Sequence, residues 1–110
     1  MNYSIRTIPK FDKQVKKISK KHPSFKFDFI ELIPKLKKNP LQGVYLGNNC
    51  YKIRFAIKSK GKEKSSGARI ITNIIIDNST VFLLSIYEKS EKESITDKEL
   101  QELINEISDI

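Results

Sequence analysis

Cys50-Tyr51-Lys52-Ile53-Arg54-Phe55-Ala56-Ile57-Lys58-Ser59-Lys60-Gly61-Lys62-Glu63-Lys64-Ser65-Ser66-Gly67-Ala68-Arg69 is the stretch whose reading decides the fold. Its first half alternates without a break. Tyr51, Ile53, Phe55 and Ile57 fall on one parity, and Lys52, Arg54, Ala56 and Lys58 on the other. Successive strand side chains point to opposite faces, so this reads as a half-buried strand with one apolar and one basic face. The second half is a turn-prone, lysine-rich loop that ends at another arginine. A basic strand face feeding a basic loop is a place to hold a polyanion.

Downstream, Ile70, Ile71, Ile74, Ile75 and Ile76 make a nearly continuous β-branched run, as expected of a central strand covered on both faces. Asp77-Asn78-Ser79-Thr80 supplies turn chemistry, and Val81 to Tyr87 is a further strand, so the two form a hairpin. Thr96-Asp97-Lys98-Glu99 is a capping box, with Ile95 and Leu100 spaced for a hydrophobic staple. Leu100, Leu103, Ile104 and Ile107 follow on one face, which predicts a helix from about 97 to 108.

Upstream, Leu41 to Asn49 has the glycines and asparagines of a connector. Before it lie two helices. Pro9 suits a first helical position, and Phe11, Val15 and Ile18 recur at helical spacing among Lys13, Lys16, Lys17, Lys20 and Lys21. That lysine-rich side reads as a solvated face. His22-Pro23 ends the helix, because a residue before proline is pushed out of the α region. Ser24 is placed to N-cap the second helix, whose stripe is Phe25, Phe29, Leu32, Ile33 and Leu36. Pro34 lies inside that pattern and is expected to kink the helix or end its first part. Asn2 to Ile8 is a strand. The order is β-α-α-β-β-β-α, an α+β fold over residues 1–110 as a single domain. It predicts an antiparallel sheet with a helical hairpin on one face, a C-terminal helix, and the other sheet face open. Lys52, Arg54 and Lys58 belong on that open face by parity, together with Arg69, Tyr87 and Lys89.

With 110 residues, the chain is large enough for one core without staples. No apolar run is long enough to span a bilayer and no signal-peptide pattern opens the chain, so no membrane role is expected. The single cysteine, Cys50, cannot close an internal disulfide, and Cys50 and His22 are the only soft ligands. Cys50 reads as a buried or neutral thiol rather than a catalytic one, and His22 as a solvated loop residue. A cytoplasmic protein without metal or other cofactor is the expectation. Charge is unevenly spread within the net +8: residues 1–69 carry 18 Lys or Arg against 4 Asp or Glu, and residues 70–110 carry 3 against 9. Such asymmetry points to nucleic acid ahead of membrane as the partner, the plain alternative being a well-solvated lysine-rich surface.

In that order, Asn39-Pro40 before Gly43, Leu46-Gly47 leading into Tyr51-Lys52-Ile53-Arg54, Lys58-Ser59-Lys60-Gly61-Lys62, Ser66-Gly67-Ala68-Arg69-Ile70-Ile71 and Leu83-Leu84-Ser85-Ile86-Tyr87-Glu88-Lys89-Ser90-Glu91 resemble the RelE/ParE superfamily of bacterial type II toxins, and most the RelE/HigB-like branch. The resemblance spans essentially the whole chain. It implies a compact toxin that cuts messenger RNA in the ribosomal A site and is neutralised by a cognate antitoxin protein. On that resemblance Lys52 and Arg54 take the positions of the strand cations, Arg69 that of the arginine opening the next strand, and Lys89 that of the basic residue after the last strand. The chain departs from the pattern twice. The tyrosine some members carry near the final helix aligns with about Ile95, and lysine at 89 stands where arginine is frequent, without its planar fork for phosphate. The general base is therefore unassigned.

Metal-free RNA cleavage needs a base for the 2′-OH, charge stabilisation at phosphorus and an acid for the leaving 5′ oxygen. Lysines crowded by like charge can exchange protons as well as stabilise. The expected division has Arg54 and Arg69 clamping the phosphate, and Lys52 and Lys89 sharing proton transfer and charge stabilisation. Tyr87 stacks on a base or donates a hydrogen bond; its bland alternative is a strand-end residue with a packed ring and a wet hydroxyl. Lys58, Lys60, Lys62 and Lys64 are expected to touch the ribosomal RNA backbone. The competing functions are a ParE-like inhibitor of DNA gyrase, a non-catalytic basic nucleic-acid-binding module, and a folded but inactive toxin.

Overall fold

In a computed structural model, which describes residues 2–59 and 67–107, the chain runs β1 (Ser4–Thr7), α1 (Pro9–Lys21), α2 (Phe25–Lys38), β2 (Val44–Gly47), β3 (Cys50–Phe55), β4 (Ala68–Ile75), β5 (Thr80–Glu88) and α3 (Asp97–Ile107). The strands form one sheet in the order β1-β5-β4-β3-β2. The α+β order expected from sequence is present, with one added strand and one changed pairing. The sheet is mixed rather than wholly antiparallel, because β1 lies parallel to β5 and opposes Ile5 to Val81. Parallel neighbours need a long connection, and the helical hairpin and the rest of the sheet lie between these two.

The added strand is β2, which occupies the expected connector. Asn48 and Asn49 have φ of 53° and 63°, the left-handed values that a tight two-residue hairpin requires and that asparagine tolerates. Tyr45 opposes Tyr51, and their rings meet at 5.1 Å. Just before β2, Gly43 has φ of 89°, and a Cβ there would lie 2.1 Å from the carbonyl oxygen of Lys52. The conformation alone costs a side chain roughly 1–3 kcal/mol, and the clash is with backbone that cannot rotate away. Gly43→Ala is expected to destabilise the fold by about 2 kcal/mol or more, read as a lower urea midpoint; an unchanged midpoint would show that β2 leaves β3 freely.

Pro34 does not end the second helix, which continues to Lys38. Pro34 and Ile30 are exposed, so the carbonyl deprived of its i→i−4 donor lies on the solvent side, where the lost bond costs least. Ser24 sits at the N-cap position but its side chain caps nothing. Its hydroxyl donates instead to Asp28 and accepts from the Ser59 side.

Register fixes the two sheet faces. Phe55, Ala68 and Glu88 oppose one another across β3, β4 and β5. Their face carries the helical hairpin, since Phe25 packs edge-on against Phe55 and His22 bonds to Glu88. Arg54, Arg69 and Tyr87 form the neighbouring row and so point the other way. That second face is not fully open. α3 packs on β5, Lys92 lies over the Tyr87 ring, and every residue of β5 is buried. The open part is confined to the β3 side, where Arg54 is exposed and Lys52 half-buried. A β-bulge at Leu84 shifts the β4–β5 register, and Gln14 of α1 accepts the Ile86 N–H there at 2.9 Å.

Candidate nucleic-acid interface

The row Arg54, Arg69, Tyr87 brings together side chains 33 positions apart in sequence, one from each of three adjacent strands. Directly opposed residues on one face have Cβ atoms about 4.5–5.5 Å apart. Lys52 stands on the same face two residues before Arg54, roughly 7 Å along the strand. Lys89 follows β5, and its backbone N–H donates to the Gly67 carbonyl at 3.1 Å. Gly67 is needed at that crossing, because a Cβ there would lie 2.3 Å from the Phe55 carbonyl oxygen. The strand arrangement thus assembles Lys52, Arg54, Arg69 and Tyr87 on one face with Lys89 at its end.

Their accessibility differs. Arg54 and Lys89 are exposed and Lys52 is half-buried, but Arg69 keeps only 5% of its surface and Tyr87 only 8%. Arg69 Nη1 donates to the Ala68 carbonyl at 3.1 Å. The Tyr87 hydroxyl is not wet: it is buried and meets no hydrogen-bond partner among the described residues. Burial pushes its pKa up; the charge of Arg69 opposes this and that of Glu99 adds to it. At neutral pH the phenol is a neutral donor, suited to hydrogen bonding and not to taking up a proton. The Lys92 ammonium lies 5.9 Å from the ring centroid, within cation–π reach.

Lys58 does not share this face. β3 ends at Phe55, so strand parity no longer applies three residues later. The Lys58 N–H donates to buried Asp28 at 2.9 Å, and its ammonium pairs with Glu31 at 3.5 Å, both on α2. Ser59 N–H donates to the Ser24 hydroxyl at 2.8 Å, so the chain is stapled to α2 where the lysine-rich loop begins. Lys60, Lys62 and Lys64 lie outside the described residues. Among the described residues no His, Cys, Asp or Glu side chains cluster as a metal site requires, and no helix is long and apolar enough to cross a membrane.

The sequence matches no protein-family model and no curated protein. Solved structures do match. A mutant of the Escherichia coli RelE toxin in the free state superposes with a TM-score of 0.61 at 20% identity, over 84% of this chain and 90% of that one. A RelBE toxin–antitoxin complex from Mycobacterium tuberculosis gives 0.60 at 15% identity, over 80% of this chain and 99% of its own. The intact E. coli RelBE complex gives 0.60 at 20%, over 78% and 95%. The fold is RelE-like. At these identities the likeness establishes architecture alone.

Two polar clusters around the Arg54–Arg69–Tyr87 row, one of them on the opposite side of the sheet, were not singled out from sequence. The first overturns the reading of His22 as a solvated loop residue. His22 is buried, with Nε2 2.6 Å from Glu88 Oε1, while Lys21 Nζ lies 3.0 Å from Glu88 Oε2. Its partner is 66 positions away, beyond the reach of local pattern. The second is the pair Lys92–Glu99 at the start of α3. Contact with Lys92, aided by the Thr96 N–H, holds the Glu99 carboxyl down at about 2. The expected capping box is formed: Thr96 N–H donates to Glu99 Oε1 and Glu99 N–H to the Thr96 hydroxyl, each at 3.1 Å.

A folded-state pKa below the unfolded one contributes stability that is present above the unfolded value and lost as pH falls through the folded one. For Glu99 that window runs from the ordinary 4.5 down to about 2. Acidification through it is expected to lower amide protection, measured against the intrinsic exchange rate at each pH, at the first turn of α3 before β4 and β5 respond. Glu99→Gln should show that lowered protection already at neutral pH; a first turn equally protected in both proteins would refute the assignment. Cys50 is buried as expected, and burial raises its thiol pKa against the opposing Asn73 hydrogen bond.

Proposed function

We propose that this chain is the toxin of a type II toxin–antitoxin system and acts as a ribosome-dependent, metal-independent messenger RNA endonuclease. The observation that carries the reading is the register row Arg54–Arg69–Tyr87 with Lys52 beside it, on the RelE-like sheet face that α1 and α2 leave uncovered. Arg54 and Lys52 are accessible to a phosphate, and Lys89 closes the rim. Buried Arg69 and Tyr87 stand behind them, adding positive field and a neutral donor in a site of low dielectric, where such groups count most.

In this mechanism the 2′-oxygen attacks phosphorus after giving up its proton, charge gathers on the non-bridging oxygens, and the 5′-oxygen leaves on receiving a proton. Arg54 and Arg69 stabilise the charge. Lys52 and Lys89 serve charge stabilisation and proton transfer, and Tyr87 donates a hydrogen bond. The lysines of residues 58–64 contact ribosomal RNA, and an antitoxin rich in acidic and apolar residues covers the basic face or displaces α3. The burial of Arg69 and Tyr87 favours a second reading, in which the face only binds nucleic acid.

Induction of the wild-type chain in bacteria, with primer-extension mapping of messages, separates these. Codon-positioned cuts are the expected result. A DNA-damage response without cuts would favour gyrase poisoning, and an absence of any growth effect would favour binding alone or an inactive toxin.

A further inference from the structure

Resting on the reading of the Arg54–Arg69–Tyr87 face as the reacting surface, we propose that His22 and Glu88 form a positioning pair. Acting from the opposite side of the sheet, the pair holds Tyr87 and Lys89 in place. Glu88 retains 3% of its surface and His22 9%. A buried, hydrogen-bonded carboxylate is seldom what stability requires, since apolar residues of similar volume serve a core as well or better. A carboxylate at this place therefore calls for another reason.

The geometry supplies one. Both oxygens of Glu88 are held, Oε1 by His22 and Oε2 by Lys21. The anchor is itself fixed: His22 is the C-cap of α1, with its N–H bonded to the Ile18 carbonyl and its own carbonyl accepting the Phe25 N–H. Glu88 is the last residue of β5, between Tyr87 and Lys89, and opposes Ala68, the neighbour of Arg69. Its carbonyl accepts the N–H groups of Glu91 and Lys92, each at 3.0 Å, which begins the turn that carries Lys92 over Tyr87. Glu88 is thus the pivot from strand to turn, and α1 grips it. The pair lies on the hairpin face, so it acts through its neighbours and does not touch RNA.

His22→Ala removes the buried contact of that grip and leaves only the half-exposed Lys21, while His22→Gln keeps an N–H that can donate to the carboxylate. Single-turnover cleavage of ribosome-bound message is measured against protein concentration. His22→Ala is expected to lower the maximal rate by about 10- to 100-fold, as small misplacements of reacting groups do, with the half-saturating concentration unchanged. His22→Gln is expected to recover most of that rate. Exchange of the Lys89 amide, bonded to Gly67, should quicken in His22→Ala while β3 amides keep their protection. A wild-type rate in His22→Ala, equal losses in both variants, or a loss that tracks the unfolded fraction would overturn the inference. If the wild type cuts no message, the functional reading fails instead, and Lys89 exchange decides the inference alone: faster in His22→Ala upholds it, unchanged overturns it.

Discussion

Alanine at both Lys52 and Arg69 is expected to lower codon-positioned message cleavage by about 10³-fold, the scale on which removal of preorganised donors acts on a developing oxyanion. In the proposed mechanism the two residues serve one charge-stabilising unit, so the double variant should fall little below the worse single variant rather than to the product of both. They are not equivalent. Lys52 is half-buried on the accessible β3 side, whereas Arg69 lies in the buried part of the row. Lys52→Ala removes a direct contact and should leave the melting temperature where it was. Arg69→Ala also removes packed aliphatic stem, so its loss of activity must be read beside a melting curve. Arg69→Lys keeps charge without the planar fork and is expected to fall between the wild type and Arg69→Ala. Full cleavage by a folded Lys52→Ala/Arg69→Ala protein would remove this face from the chemistry.

What could be read from sequence follows the distance over which each feature is encoded. The α3 capping box is contained in four consecutive residues, and it forms as spaced. The β4 run is β-branched because it is buried on both faces, and that too is local. Strand β2 was legible in principle, since Asn48-Asn49 is tight-turn chemistry, but its few exposed residues look like a connector. The partner of β1 was not legible, because Ile5 meets Val81 only after the whole sheet has assembled. The candidate site divides in the same way. Parity placed Lys52 and Arg54 on one face, and register bears out Arg69 and Tyr87 beside them. Parity failed for Lys58, where the strand had ended, and nothing local announces that Arg69 or His22 is buried.

Phe55→Ala is expected to cost about 3–5 kcal/mol of folding stability, the range for truncating a buried phenylalanine. Phe55 stands one residue from Arg54 but on the hairpin face. Its ring meets Phe25 edge-on at 5.7 Å and Phe29 at 6.5 Å, while Phe25 and Phe29 stack at 5.7 Å and Phe11 lies 6.0 Å from Phe29. Four rings from α1, α2 and β3 therefore share one cluster. Lost transfer energy sets the lower part of that range; the cavity term depends on how far the surroundings collapse. Collapse is restricted here because the facing rings are fixed on helices that pack elsewhere, so the upper part of the range is expected. Against a typical total of about 5–15 kcal/mol the loss is large, and urea titration should show a much lower midpoint at unchanged slope. Phe27→Ala is the control: Phe27 is 73% exposed on the outer side of α2, and its truncation should stay within about 0.5 kcal/mol. The remaining folded fraction of Phe55→Ala should still cleave at the wild-type rate per folded molecule, because the substitution faces away from Arg54. A loss below about 1 kcal/mol, at the level of an average substitution, would mean that the aromatic cluster does not hold the hairpin to the strand that presents the site.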